Sequence, residues 1–335
     1  MKKIILSILA VATLASCAKE ETLSYDREAI GFGNAFVDNA VRAIDPSYGK
    51  NNLLKEIYVY GTVTGTTDTP VSVFDYTRVW TDAEDGNYTE LWNCATTQYW
   101  VSGADYKFAA VAGVGKANVT CTNGIPSSIN FTSNGTTDLV LSDIVTREDV
   151  AATGNKMVAF TMSHLLSKVK FTVTNTTNQG TEHNSGYYYK VSNIKLLNAY
   201  TAGTYTVADK VANGTWEATG NTGEVAFGNA TNATTDYAAA ANIADRDVIT
   251  SNYERLLVPH NYTDLLQVQF DLALYMNSDD NKINEELGKK VPVDVNLEAG
   301  KAYNFALTVS VGQPIQFTVT ANPTWTNATS DTEVK

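Results

Sequence analysis

Histidine and cysteine are scarce in this chain, with three of each in 335 residues. His164, His183 and His260 lie far apart, and none has a second ligand at the spacing metal sites use. A histidine-based triad has equally little to draw on. Basic residues are outnumbered, 24 Lys and Arg against 36 Asp and Glu, which gives a net charge of −12. That sign repels phosphate and excludes nucleic acid as a partner. Only 18% of residues are charged, whereas 44% are hydrophobic and 18 residues are Tyr, which is too apolar and aromatic for a disordered chain. Beyond the first residues, no apolar run approaches the length of a transmembrane helix.

Catalytic fingerprints are missing too. Gly31-Phe32-Gly33 lacks the third glycine and the strand–helix context of a dinucleotide site. Ser47-Tyr48-Gly49-Lys50 and Ser192-Asn193-Ile194-Lys195 match Ser-x-x-Lys, but no Ser-Asp-Asn or Lys-Thr-Gly accompanies them. Asp82–Asn87 and Asp279–Asn281 offer oxygens without the EF-hand spacing, and read as solvated loops. His164, beside Leu165-Leu166, reads as a hydrogen-bonded packing residue. The expectation is a protein that is not an enzyme, with no cofactor and no metal.

What is present begins with an address. Lys2 and Lys3 precede the apolar stretch Ile4–Leu14, which has the length of a signal-peptide core. Leu14-Ala15-Ser16-Cys17 follows and resembles the bacterial lipobox, in which the cysteine receives a diacylglycerol and becomes the new N-terminus. Lys19-Glu20-Glu21 resembles the signal that sends Bacteroidetes lipoproteins to the outer face of the outer membrane. Residues 1–16 are thus expected to be a lipoprotein signal peptide and Cys17 the lipidation site. Cys94 and Cys121 remain, either as a disulfide or as two separate thiols.

The body reads as strands, because apolar residues recur with a period of two. Ile57, Val59, Gly61 and Val63 interleave with Tyr58, Tyr60 and Thr62. Ser167, Val169, Phe171 and Val173 alternate with Lys168, Lys170, Thr172 and Thr174; Leu266 to Leu274 behaves likewise. At the C-terminus Tyr303, Phe305, Leu307, Val309 and Val311 share a face, Gly312-Gln313-Pro314 turns the chain, and Ile315, Phe317 and Val319 alternate with Gln316, Thr318 and Thr320. Asp236–Asp245 reads as a loop with at most a turn or two of helix. The pattern predicts an all-β chain of two antiparallel β-sandwiches in series. The preferred boundary lies in the polar stretch Thr146–Lys156, with Asn175–Gly186 as second choice. Trp80, Trp92 and Trp100, near Tyr88 and Tyr99, form either a sugar-stacking platform or part of a core.

One short segment suggests a mechanism. Ile30, Phe32 and Phe36 point to one face of a run that fits a strand plugging a groove, and Arg42-Ala43 follows it. A cut after Arg42 would remove both lipid and plug, whereas a cut after Arg27 would leave the plug in place. Burying three large apolar side chains contributes roughly 5–9 kcal/mol. Their loss would expose a groove and an unpaired strand edge, which drive strand addition from a neighbour.

With the lipobox, the Ile-x-Phe strand, Arg42-Ala43, the run Asn52–Thr62, the run His164–Phe171 and the late Trp325, the chain resembles the fimbrillin-family (type V) pilins of Bacteroidales. That resemblance implies two transthyretin-like β-sandwich domains, here 43–155 and 156–335, behind a lipidated propeptide, 17–42. It implies export as a lipoprotein to the surface of the outer membrane and cleavage by an Arg-specific protease between Arg42 and Ala43. Polymerisation with copies of itself or related pilins, by strand exchange into a fimbrium, would follow. The donor-strand candidates are Tyr303, Phe305, Leu307 and Val309, and Ile315, Phe317 and Val319, unless these residues simply close the second sandwich. The role expected is a shaft or tip subunit supporting adhesion to a host protein or glycan. The alternative is an outer-surface glycan-binding lipoprotein.

Overall fold

The computed structural model describes residues 28–37, 54–65, 69–82, 92–151, 153–155, 157–175, 187–219, 222–227, 248–250, 254–276, 281–309 and 314–322. In chain order the first strands are β1 (Phe32–Val37), β2 (Glu56–Thr64), β3 (Val71–Trp80), β4 (Asn93–Cys94), β5 (Asp105–Ala112), β6 (Val119–Thr122), β7 (Ile125–Thr132), β8 (Val140–Ser142), β9 (Val145–Arg147), β10 (Val158–His164) and β11 (Ser167–Asn175). They continue with β12 (Tyr187–Tyr200), β13 (Ala202–Thr206), β14 (Thr215–Ala218), β15 (Thr222–Ala226), β16 (Val248–Thr250), β17 (Arg255–Leu257), β18 (His260–Met276), β19 (Asn281–Leu297), β20 (Ala302–Val309) and β21 (Gln316–Asn322). The all-β expectation is met; helix among the described residues is confined to two short 3-10 turns, Lys116–Asn118 and Val211–Asn213. The stretch Asp236–Asp245 lies outside the described residues.

The strands form four sheets. The first runs β1-β10-β8-β5-β2-β3-β4, with β9 also on β5. Its core gathers Ile57 and Val59 of β2, Phe74 and Val79 of β3, Tyr106 and Phe108 of β5, and Phe160 and Met162 of β10. The C-terminal sandwich packs the sheet β16-β11-β20-β21 against β15-β12-β18-β19. Val169, Phe171 and Val173 of β11 meet Phe305 and Leu307 of β20 and Val268 and Phe270 of β18 there, as the two-residue period demands.

A fourth sheet, β14-β13-β7-β6, takes strands from both halves of the chain. It covers a junction core that includes Tyr60, Val111, Phe131, Leu141, Leu165, Leu166, Tyr205 and Leu256. β2 is therefore buried on both faces: Ile57 and Val59 serve the first core, while Tyr60, expected on the opposite face, is buried in the junction. Hydrogen bonds hold this seam. Trp216 Nε1 donates to the Leu165 carbonyl at 2.7 Å, and Tyr76 donates its hydroxyl to the Val114 carbonyl at 2.6 Å.

The boundary expected between residues 155 and 156 does not follow the sheets. β10 lies beyond it, yet pairs with β1 and β8 in the first sheet. The polar stretch that suggested the boundary is a loop tied onto that sheet: the Asp149 and Asn155 amides donate to Asp105 Oδ1 and Glu28 Oε2, each at 2.8 Å. The chain passes to the second sandwich at Leu165-Leu166, between β10 and β11. Polarity marked a solvated loop, and the true crossing is apolar because the junction core buries it. The second-choice stretch Asn175–Gly186 separates β11 from β12, which both belong to the C-terminal sandwich.

Candidate functional site

β1 occupies a slot between the two ends of the first sheet. On one side it pairs in parallel with β10, Phe32 opposite Val158 and Val37 opposite Met162. On the other side residues 92–100, which span β4, grip β1 and the residues that lead into it. Trp92 donates its amide to the Phe32 carbonyl at 2.9 Å, Trp100 donates to the Glu28 carbonyl at 3.0 Å, and the Ile30 amide donates to the Gln98 carbonyl at 2.8 Å. β1 thus closes a sheet that would otherwise carry two open edges.

The side chains of β1 and of the residues that lead into it complete the first core. Ile30, Phe32 and Ala35 are buried. The Phe32 ring lies edge-on to Phe74 (centroids 5.1 Å apart) and Phe108 (6.0 Å), and stacks on Phe160 (6.1 Å). Burial of Ile30 and Phe32 alone contributes about 3–6 kcal/mol. The register shifts between Gly33 and Ala35, so strict alternation does not run through to Phe36. Ala35 is buried as well; Phe36 pairs with Thr161 along the backbone, and its side chain lies outside the described residues. Cys17, Arg42 and Ala43 lie outside the described residues.

Gly61 lets this aromatic cluster close. A Cβ there would stand 2.8 Å from the Phe74 ring and 2.9 Å from that of Phe108. Gly61→Val is therefore expected to destabilise the chain by about 1–3 kcal/mol through overpacking, read as a lower midpoint in chemical denaturation.

The two groups of donor candidates have different places. Tyr303, Phe305, Leu307 and Val309 of β20 are buried in the C-terminal core, and β20 is hydrogen-bonded on both sides, to β11 and β21. β21 pairs with β20 alone among the described residues, and Ile315, Phe317 and Val319 are only half-buried. The edge strand β19 is blunted by Lys282, Lys289, Lys290 and Pro292, by Gly288 with φ +62°, and by register shifts against β18. β21 reads Gln-Phe-Thr-Val-Thr-Ala-Asn, with no charge, proline or glycine. Among the described residues it is an edge left open to pairing.

Among the described residues, the remaining sequence candidates do not assemble into a second site; His183, residues 47–50, residues 83–87, Asp279 and Asp280 lie outside them. Cys94 and Cys121 are free: they stand in separate sheets, on β4 and β6, and Cys94 Sγ donates to the Thr96 carbonyl at 3.1 Å. Burial pushes both thiols up. Reductant is accordingly expected to leave the melting temperature unchanged. The tryptophans form no platform, since Trp92 and Trp100 are buried and Trp80 lies under the Arg78 guanidinium at 4.5 Å. His164 is a buried packing residue as expected, bonded through Nδ1 to Asp138 Oδ2 at 2.5 Å. Lys195 is in an ion pair with Glu224 at 3.0 Å. Among the described residues no group of three His, Cys, Asp or Glu could hold a metal, and no helix is long and apolar enough to cross a membrane. The grip of residues 92–100 on β1 escaped the sequence reading; only the crowding of large apolar residues there hinted at it.

Comparison with known proteins follows the same line. The family model described as fimbrillin-like matches residues 42–325. A fimbrial protein from Bacteroides vulgatus has a similar structure, with a TM-score of 0.60 at 15% identity, over 90% of this chain and all of that one. A candidate cell adhesion protein from Bacteroides uniformis aligns with a TM-score of 0.49 at 16% identity, over 88% of this chain and 97% of the other. No curated protein matches the sequence.

Proposed function

Because this chain belongs to the fimbrillin-like family, we propose that it is a structural subunit, shaft or tip, of cell-surface fimbriae that support adhesion. The precursor is exported as a lipoprotein held to the outer membrane through Cys17. An Arg-specific protease cuts between Arg42 and Ala43, and β1 leaves its slot. A strand from another subunit then fills the groove. Such head-to-tail exchange does not close on itself and yields a fibre.

The observation that carries this reading is the seat of β1. A strand ending at Val37, five residues before Arg42, buries Ile30 and Phe32 in the first core and bridges two sheet edges. One cut would convert it from a covalent element of the fold into a peptide held by noncovalent contacts. The incoming strand is β21. Its lead-in and start, Ile315-Gln316-Phe317, repeat the spacing of Ile30-Gly31-Phe32. It also leaves its own sandwich at less cost than β20, which is bonded on both sides. The burial of Trp92 and Trp100 removes the platform on which the alternative, a glycan-binding lipoprotein, rested.

The test is a mixing experiment. Purified precursor is cut after Arg42 and followed by light scattering and electron microscopy. Fibres are expected from the cut chain and none from the uncut chain. Phe317→Asp in the cut chain should abolish growth, because a charge cannot enter the seat of Phe32. Fibres from the Phe317→Asp chain would exclude β21 as donor; fibres from the uncut chain would exclude activation by cleavage.

A further inference from the structure

A second described cleft lies away from β1, where the first sheet meets the fourth. It has a volume of about 490 Å³, within the range of small-ligand sites. Its floor is β7 and β13, and its walls are the loop after β5, the turn after β7 and the end of β14.

The lining carries no ionisable side chain, although the chain has 36 acids and 24 bases. Its polar groups are the amides and hydroxyls of Asn118, Asn130, Thr132, Asn134, Thr137 and Thr219. Both types of group donate and accept, as ligand hydroxyls require. With no carboxylate the cleft does not suit a cation. With no basic side chain, in a protein of net charge −12, it does not suit an anion. Val114 and Ala202 add apolar surface of the kind that meets the C–H faces of a sugar ring.

The cleft is built rather than incidental. Asn134 Oδ1 accepts from the amides of Thr136 and Thr137 at 2.9 and 2.7 Å, and Asn134 Nδ2 donates to Thr137 Oγ1 at 2.8 Å, which fixes the rim. Thr204 Oγ1 donates to Asn130 Oδ1 at 2.8 Å and orients that amide. Two glycines let the backbone of the lining pack closely on the segments beneath it. Gly113, at φ +78°, has the Asp138 carbonyl oxygen 1.7 Å from where a Cβ would be, and Gly203 has the Glu217 carbonyl oxygen at 2.9 Å. Val114 and Phe131 anchor the lining in the junction core.

We propose that this cleft binds an uncharged, polyhydroxylated ligand, a neutral mono- or disaccharide unit of a glycan. The site has no exposed tryptophan, so each contact is weak, and repetition of the subunit along a fibre would raise the avidity. Binding to the single chain does not depend on assembly.

Saturation-transfer NMR on the intact, uncut chain tests the site apart from the assembly reading. The probes are galactose, N-acetylgalactosamine, fucose and lactose, with sialyl-lactose and a sulfated galactose as charged counterparts. Transfer is expected to at least one neutral sugar and to neither charged counterpart. Asn130→Ala should lose the signal, and so should Thr219→Trp, which fills the cleft from an exposed position without removing a described hydrogen bond. Unchanged melting temperatures of the two variants would tie the loss to the cleft. Absence of transfer to all four neutral sugars would overturn the proposal. So would binding that survives in both variants, or a preference for the charged probes.

Discussion

Phe32→Ala lowers the stability of the uncut chain by about 3–5 kcal/mol, the cost of emptying a large aromatic site in a packed core. The ring lies among Phe74, Phe108 and Phe160, and Gly61 leaves no bulk that could move in to fill the hole. A urea titration of the uncut protein reads the change as a lower midpoint with the slope kept. In fibres of cut subunits the same substitution is expected to have no effect, because on the proposed reading residue 32 leaves with the propeptide. Phe317→Ala shows the opposite pattern. It costs the uncut monomer less, since Phe317 is half-buried on an edge strand, and it weakens the fibre. A Phe32→Ala chain as stable as the parent would show that β1 is not part of the fold.

On the proposed reading, Arg42→Ala is expected to abolish fibres and to leave a lipidated monomer at the cell surface. The chain keeps β1 in its slot, so neither the β10 edge nor the facing 92–100 segment opens to a neighbour. Stability separates this failure from misfolding: the uncut Arg42→Ala chain should melt where the uncut parent does. Arg27→Ala provides the contrast. A cut after Arg27 would release the lipid and leave β1 in place, so fibres should still form in the Arg27→Ala chain. Immunoblots of outer-membrane and shed fractions distinguish the two variants.

Most of the fold was legible because the two-residue period is local. Val169, Phe171 and Val173 announced the inward face of β11, and Tyr303 to Val309 that of β20, without any knowledge of partners. What could not be read depends on contacts between distant segments. Tyr60 looks like the outward member of an alternating strand, and only the fourth sheet makes its face interior. Lys168 looks solvated for the same reason. It is buried, with Glu254 Oε2 at 3.3 Å from its Nζ, and burial pushes its ammonium down while Glu254 opposes that shift. The boundary was expected in a polar loop, whereas the sheets part at the apolar Leu165-Leu166, whose burial depends on contacts between distant segments.

The candidate site divides in the same way. Ile30 and Phe32 were legible from spacing alone, and the structure buries both. The shift between Gly33 and Ala35 was not, because a bulge is set by the partner strand. Nor could sequence separate β20 from β21 as donors, since both show a clean apolar face. Hydrogen-bonded neighbours on both sides of β20, against one for β21, make the difference.

The central claim is that β1 belongs to the precursor and not to the assembled subunit. Intact-mass analysis and N-terminal sequencing of the chain recovered from cell-surface fimbriae test it directly. The account predicts a chain that starts at Ala43, without lipid and without Ile30 and Phe32. Assembled fibres whose subunits still begin at lipidated Cys17 would contradict it.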